Sequence, residues 1–128
     1  MLTTFPVYAT LPITNVARAK KFYQKKLGLK LVSENKKMGV LYFEAGKGTR
    51  IELFMSNPPK SGDTTASFKV KDIKSLMGKL RAKGVRFEEY NFAYLKTVNG
   101  VATIDNEKAA WFKDPSGNLL CLHQQGRK

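Results

Sequence analysis

The sequence predicts an α+β fold in which two βαβββ modules form a cupped, barrel-like mixed sheet with their helices on the outside. Three observations predict it. The candidate helix caps Asn15 and Asp72 lie 57 residues apart, and the helix-ending glycines Gly28 and Gly84 lie 56 apart, so one pattern occurs twice. A stretch with the composition of a linker, Asn57 to Thr64 with Pro58, Pro59, Ser61 and Gly62, separates the two occurrences. Each repeat alone is too small to close a core, so the two sheets should pair and leave a cavity on their inner face. The 128 residues, 42% of them hydrophobic, make one domain: module one about 1–57, a linker 58–63, and module two about 64–125.

Each element follows from its local pattern. Val7 to Ile13 reads VYATLPI, an apolar run of strand formers. Beyond Asn15, Val16, Ala19, Phe22, Tyr23 and Leu27 recur at helical spacing while Arg18, Lys20, Lys21, Lys25 and Lys26 fill the other positions, which predicts an amphipathic helix. Gly28 supplies its left-handed C-terminal cap, and Leu29 to Val32 resumes an extended chain. Gly39 to Glu44 and Thr49 to Phe54 are strands joined by the turn Gly46, Lys47, Gly48. In the second half Ala66 to Val70 is a strand, and Ile73, Leu76, Met77 and Leu80 are the apolar stripe of a basic helix ending at Gly84. Residues 90–106 fit no single template, whereas Lys108 to Phe112 and Asn118 to His123 form a closing hairpin around Asp114 to Gly117.

Twenty-three Lys and Arg against ten Asp and Glu leave a net charge of +13. Nine cations fall in residues 1–48, seven in 69–86 and seven elsewhere, with no block of five or six like charges. Spread in this way they predict a solvated basic surface and no dedicated nucleic-acid partner. No apolar run reaches the ~18 residues of a membrane span, so no membrane partner is expected. One cysteine, Cys121, excludes an intrachain disulfide. With no secretory pattern at the N-terminus, that points to a reducing interior, the cytoplasm.

Two stretches, TLPITNVARAKKFYQKKLGL from Thr10 to Leu29 and AAWFKDPSGNLLCL from Ala109 to Leu122, resemble the vicinal oxygen chelate superfamily. That superfamily holds glyoxalase I, extradiol dioxygenases, and fosfomycin and bleomycin resistance proteins. The segment FEEYNFAYLKTVNGVA, Phe87 to Ala102, is similar to a subgroup of small proteins within it. The resemblance implies four ligand positions in metal-dependent members, which here fall on Tyr8, Glu52, Thr65 and Cys121. His, Gln or Glu is usual at these positions, and only Glu52 keeps that type. Tyr, Thr and Cys beside one Glu suit neither a hard divalent ion nor an imidazole-rich site, so no metal and no cofactor are expected. A trio of Glu52, Cys121 and His123 is the residual metal arrangement. Because paired modules of this family often associate, the resemblance also implies a homodimer.

Strand alternation places Ile51, Leu53, Leu120 and Leu122 under the helices and Arg50, Glu52, Phe54, Leu119, Cys121 and His123 on the inner face. Tyr8, Thr65 and Trp111 join that face. Tyr8, Glu52, Phe54, Thr65, Trp111, Cys121 and His123 are therefore the candidate ligand-binding residues; Arg50 is expected to pair with Glu52, the only candidate catalytic base. The leading reading is a metal-free protein that binds or sequesters a small neutral or anionic molecule, a cationic guest being repelled by the +13 charge. Against it stands a cavity filled by Trp111 and Phe54 as core. The alternatives are a metal-dependent glyoxalase-like lyase or dioxygenase with unconventional ligands, and non-specific nucleic-acid contact through the basic surface.

Overall fold

Asn15 and Asp72 both cap helices: each side-chain oxygen accepts the amide three residues on, Arg18 N at 2.9 Å and Ser75 N at 3.2 Å. These caps organise a computed structural model that describes residues 1–60 and 62–126. Ser61, inside the expected linker 58–63, and Arg127 and Lys128, at the end of the expected domain, lie outside the described residues. The chain divides into two compact units, Met1–Ser61 with Pro115–Asn118, and Gly62–Asp114 with Leu119–Lys128.

The first unit runs β1 (Ala9–Ile13), α1 (Val16–Lys21), a π-helical turn over Phe22–Lys26, β2 (Lys30–Asn35), β3 (Val40–Glu44) and β4 (Arg50–Met55). Its strands form a sheet in the order β1-β4-β3-β2, with β1 parallel to β4. The single amphipathic helix expected from Val16 to Leu27 thus widens after Lys21. Leu27 N donates to Phe22 O, five residues back, at 3.0 Å. The wider turn lets two adjacent rings face the sheet: Phe22 and Tyr23 are both buried, 5.4 Å apart edge to face, and Tyr23 packs against Phe43 at 5.8 Å. Gly28, at φ +73°, then ends the helix, and Leu29 N reaches back to Tyr23 O. Lys20 on α1 binds Glu34 on β2 at 2.7 Å, and that hydrogen bond holds the Glu34 carboxyl below its usual range.

The second unit runs β5 (Thr64–Val70), α2 (Ile73–Ala82), β6 (Asn91–Phe92), β7 (Leu95–Val98), β8 (Val101–Ile104), β9 (Glu107–Lys113) and β10 (Leu119–Gln124). The sheet order is β5-β10-β9-β8-β7-β6, with β5 parallel to β10. The repeat is therefore not a plain βαβββ: residues 90–106, which fitted no template, add the short β6 and β7 beyond β8. The described strands form two sheets, of four and six strands, and no closed barrel. Both helices turn apolar side chains toward their own sheet, with Ala19 and Phe22 buried in one unit and Ile73, Met77 and Leu80 in the other. As alternation predicts, Ile51, Leu53, Leu120 and Leu122 are buried. Leu119 and Cys121 are buried as well, so both faces of β10 are covered over Leu119–Leu122.

β1 is an edge strand, and the turn Pro115–Asn118 covers its open side. The fully buried Asn118 donates through Nδ2 to Pro12 O at 2.7 Å, and Thr14 N donates to Ser116 Oγ at 2.9 Å. Pro12 has no N–H to leave unsatisfied on that side. Replacing Asn118 with Ala removes a buried donor and leaves a carbonyl unpaired. It should cost about 1–3 kcal/mol, read as a lower urea midpoint at unchanged slope.

Candidate functional site

The first unit's candidate surface is the sheet face opposite Ile51 and Leu53. Glu52 lies in register between Thr10 of β1 and Tyr42 of β3 and is half-buried. Phe54, in register with Pro12 and Val40, is 37% exposed, too open for a core ring. Tyr8, half-buried, precedes β1, which starts two residues later than the Val7 expected. Arg50 does not pair with Glu52. Its guanidinium carbon sits 5.7 Å from the centroid of the Tyr8 ring, a cation–π contact that orders the phenol instead.

The second unit's surface is built around Trp111, on the face of β9 opposite the buried Ala110 and Phe112. In register, Cys121 of β10 lies between Trp111 and Ser67 of β5. The indole Nε1 donates to Thr64 Oγ1 at 3.0 Å, and the Tyr90 ring meets the indole edge to face at 5.7 Å. Tyr90 in turn meets Phe92 at 5.9 Å. Trp111 itself is half-buried. Thr65, the hydroxyl expected on this face from alternation, donates to Leu119 O at 3.0 Å, while its neighbour Thr64 holds the indole. The cause is a bulge: Leu119 pairs with Thr64 but Leu120 pairs with Ala66, so one extra β5 residue is accommodated there. His123 Nε2 lies 3.2 Å from Glu107 Oε1 and faces Lys69 in register, at the far end of the strand from Leu119.

Thr64 and Glu107 are surface residues that the sequence pattern does not single out, whereas alternation does place Ser67 on the inner face. Tyr90 and Phe92 are visible in it as an aromatic cluster with no assigned strand. Thr64 carries no signal, since a bulge leaves no mark in an alternating pattern.

Burial pushes the Cys121 thiol above its ordinary range, and hydrogen bonding to Ser67 and to the Ala110 backbone offsets part of that. Burial, then the Glu88 charge, raises the Tyr90 phenol as well. A proton held in the folded state but already lost from the unfolded chain makes stability fall as pH rises. The protein should therefore lose stability above about pH 8.5, where an unfolded thiol ionises, and Cys121→Ser should flatten that loss in pH-dependent urea melts. Iodoacetamide at pH 8 should alkylate the native protein at least ~10-fold more slowly than the urea-unfolded chain.

Among the described residues, no helix is long and apolar enough to cross a membrane, and no group of three or more His, Cys, Asp or Glu is gathered as a metal-holding set. The chain is similar in structure to a member of the glyoxalase/bleomycin resistance protein/dioxygenase superfamily from Sphaerobacter thermophilus, at a TM-score of 0.76 and 22% identity, over 98% of this chain and 100% of that one. TnmS3, an antibiotic binding protein from a Streptomyces species, gives 0.71 at 20% identity, over 98% and 99%. FosX, the genomically encoded fosfomycin resistance protein of Listeria monocytogenes, solved with Mn(II) and sulfate, gives 0.68 at 15% identity, over 98% and 94%. Comparison with curated protein sequences finds no match. The family pattern matches residues 6–122, and the chain belongs to the Glyoxalase/Bleomycin resistance protein/Dioxygenase superfamily.

Proposed function

We propose that the protein binds or sequesters a small organic molecule, neutral or anionic, without a metal ion. The observation that carries the proposal is Trp111: its ring is anchored at Nε1 by Thr64 and at one edge by Tyr90, yet it is only half-buried. A filler ring would be buried like Phe112, which is 0% exposed. A fixed, partly uncovered indole next to the exposed Thr64 hydroxyl is a stacking surface with a polar handle. On the first unit Tyr8, Glu52 and Phe54 make a second such surface. Cys121 and His123 border the Trp111 surface, and Thr65 braces the bulge that presents Thr64. The likeness to TnmS3, an antibiotic binding protein, supports a binding role.

The four positions where metal-dependent relatives place ligands do not supply a divalent-ion donor set. The Cys121 thiol is buried and held protonated, the Thr65 hydroxyl is engaged with Leu119 O, and a phenol stands at Tyr8. A thiol must lose its proton to ligate, which burial opposes. Glu52 remains the one candidate base if the protein has chemistry of its own. A cytoplasmic home is proposed from the single cysteine, and a homodimer from the family and from apolar side chains left open in the first unit, Phe5 and Val7 at 65% and 86% exposure.

Titration of Trp111 fluorescence tests the reading. An anionic naphthalene sulfonate should quench or shift the only tryptophan, and cationic bleomycin should bind more weakly at low salt. Trp111→Ala should abolish the binding while the protein stays folded. If Trp111 is core instead, the substitution should cost about 3–5 kcal/mol and bleomycin and the sulfonate should behave alike. One Ni, Zn, Mn or Fe per chain surviving dialysis, and lost on Glu52→Gln, would overturn the metal-free reading.

A further inference from the structure

In the second unit one stretch of the chain concentrates basic charge. From residue 73 to 86 the chain carries Lys74, Lys79, Arg81, Lys83 and Arg86, all exposed, and no acid. Asp72, just before them, is engaged as the cap of α2. Glu88 is engaged by Lys113 at 3.4 Å and Glu107 by His123 at 3.2 Å. Because Ile73, Met77 and Leu80 fix which side of α2 is buried, the helical period puts Lys74 and Arg81 on one flank of the exposed side and Lys79 and Lys83 on the other.

A groove of about 670 Å³ opens beside the C-terminal end of α2, lined by Arg81, Arg86, Phe87, Glu89, Asn99 and Gly100. Arg81 is set in place at its wall: Nη2 donates to Asn99 O at 2.8 Å, and the guanidinium carbon lies 5.2 Å from the Phe87 ring centroid. The Glu89 carboxylate in the groove accepts from Gly100 N at 2.6 Å and Thr97 Oγ1 at 2.7 Å, which fixes it against the β7–β8 turn.

We propose that this exposed face of α2 and the groove at its end bind the phosphodiester backbone of a nucleic-acid duplex, without reading the bases. On one flank of α2, Lys74 and Arg81 lie roughly 10 Å apart at 1.5 Å per residue, the length of about three phosphate spacings along a duplex axis. Cations strung over that length suit a polyanion better than one small anion. The apolar stripe of α2 is buried in its own sheet, so nothing on this face inserts into a lipid surface. The open face of α2 carries no aromatic platform of the kind that single-strand binders use. Dispersion along the chain, the ground for expecting no nucleic-acid partner, does not describe this face.

Anisotropy of a labelled, mixed-sequence DNA duplex with the full chain tests the proposal, with salt varied from about 50 to 200 mM. The wild type should bind, and log K should fall linearly with log salt. Lys74→Gln, Lys79→Gln and Arg86→Gln together should lower affinity about tenfold and reduce the slope by about 0.9 for each phosphate no longer neutralised. The control is Arg18→Gln, Lys21→Gln and Lys25→Gln, which removes the same net charge from the first unit. It should keep the slope and stay within about threefold of the wild-type affinity. Equal losses in the two variants, no duplex binding at the lowest salt, or tighter binding to phosphatidylserine vesicles than to the duplex would each overturn the proposal. The Trp111 titration should be unchanged in the triple α2 variant, so the two proposals fail separately.

Discussion

The open edge of β1 is the constraint on which the first unit depends. β1 has one neighbour, β4, and β4 carries Arg50, Glu52 and Phe54. If β1 were free to pair elsewhere, the register that puts Glu52 opposite Thr10 would have no fixed reference. Two devices close the edge at once. Pro12 deletes a donor, and the turn Pro115–Asn118 provides an amide and a hydroxyl for the groups that remain. The motif Asp-Pro-Ser-Gly-Asn is thus more than a hairpin turn: two of its side chains complete a strand some hundred residues earlier in the chain.

Caps and stops were the most legible part of the fold, because each depends on one residue's own chemistry. Asn15 and Asp72 cap through their side chains, and Gly28 and Gly84 take the positive φ that ends each helix, at +73° and +91°. Burial under the helices was legible for the same reason, since alternation in Ile51, Glu52, Leu53 is a local pattern. What could not be read depends on fit between distant residues. The widened turn at Phe22 exists because two adjacent rings both find space against the sheet, and no cap or glycine announces it. The bulge opposite Leu119 is a property of two strands together, so only the folded chain shows that Thr64 meets the indole.

Three of the candidate residues are settled in three different ways. Tyr8 held under Arg50, Thr65 turned to a backbone carbonyl, and Cys121 buried between Trp111 and Ser67 are three separate local solutions. The last two satisfy a polar group inside their own unit. That is the expected outcome where a buried hydroxyl or thiol must find a partner near at hand. The aromatic residues nearby are held by these contacts, which keeps their rings oriented without filling the space in front of them.

The π-helical turn at Phe22–Lys26 bears on how this chain can change length. A π turn holds one residue more than an α turn, so it is the form a helix takes when it has absorbed an insertion. Deleting one residue here would regularise the helix and leave Leu27 and Gly28 where they are, at the cost of one of the two buried rings, Phe22 or Tyr23. Homologous chains one residue shorter in the first helix should accordingly keep the stop glycine and lack the π turn together with one ring of the pair.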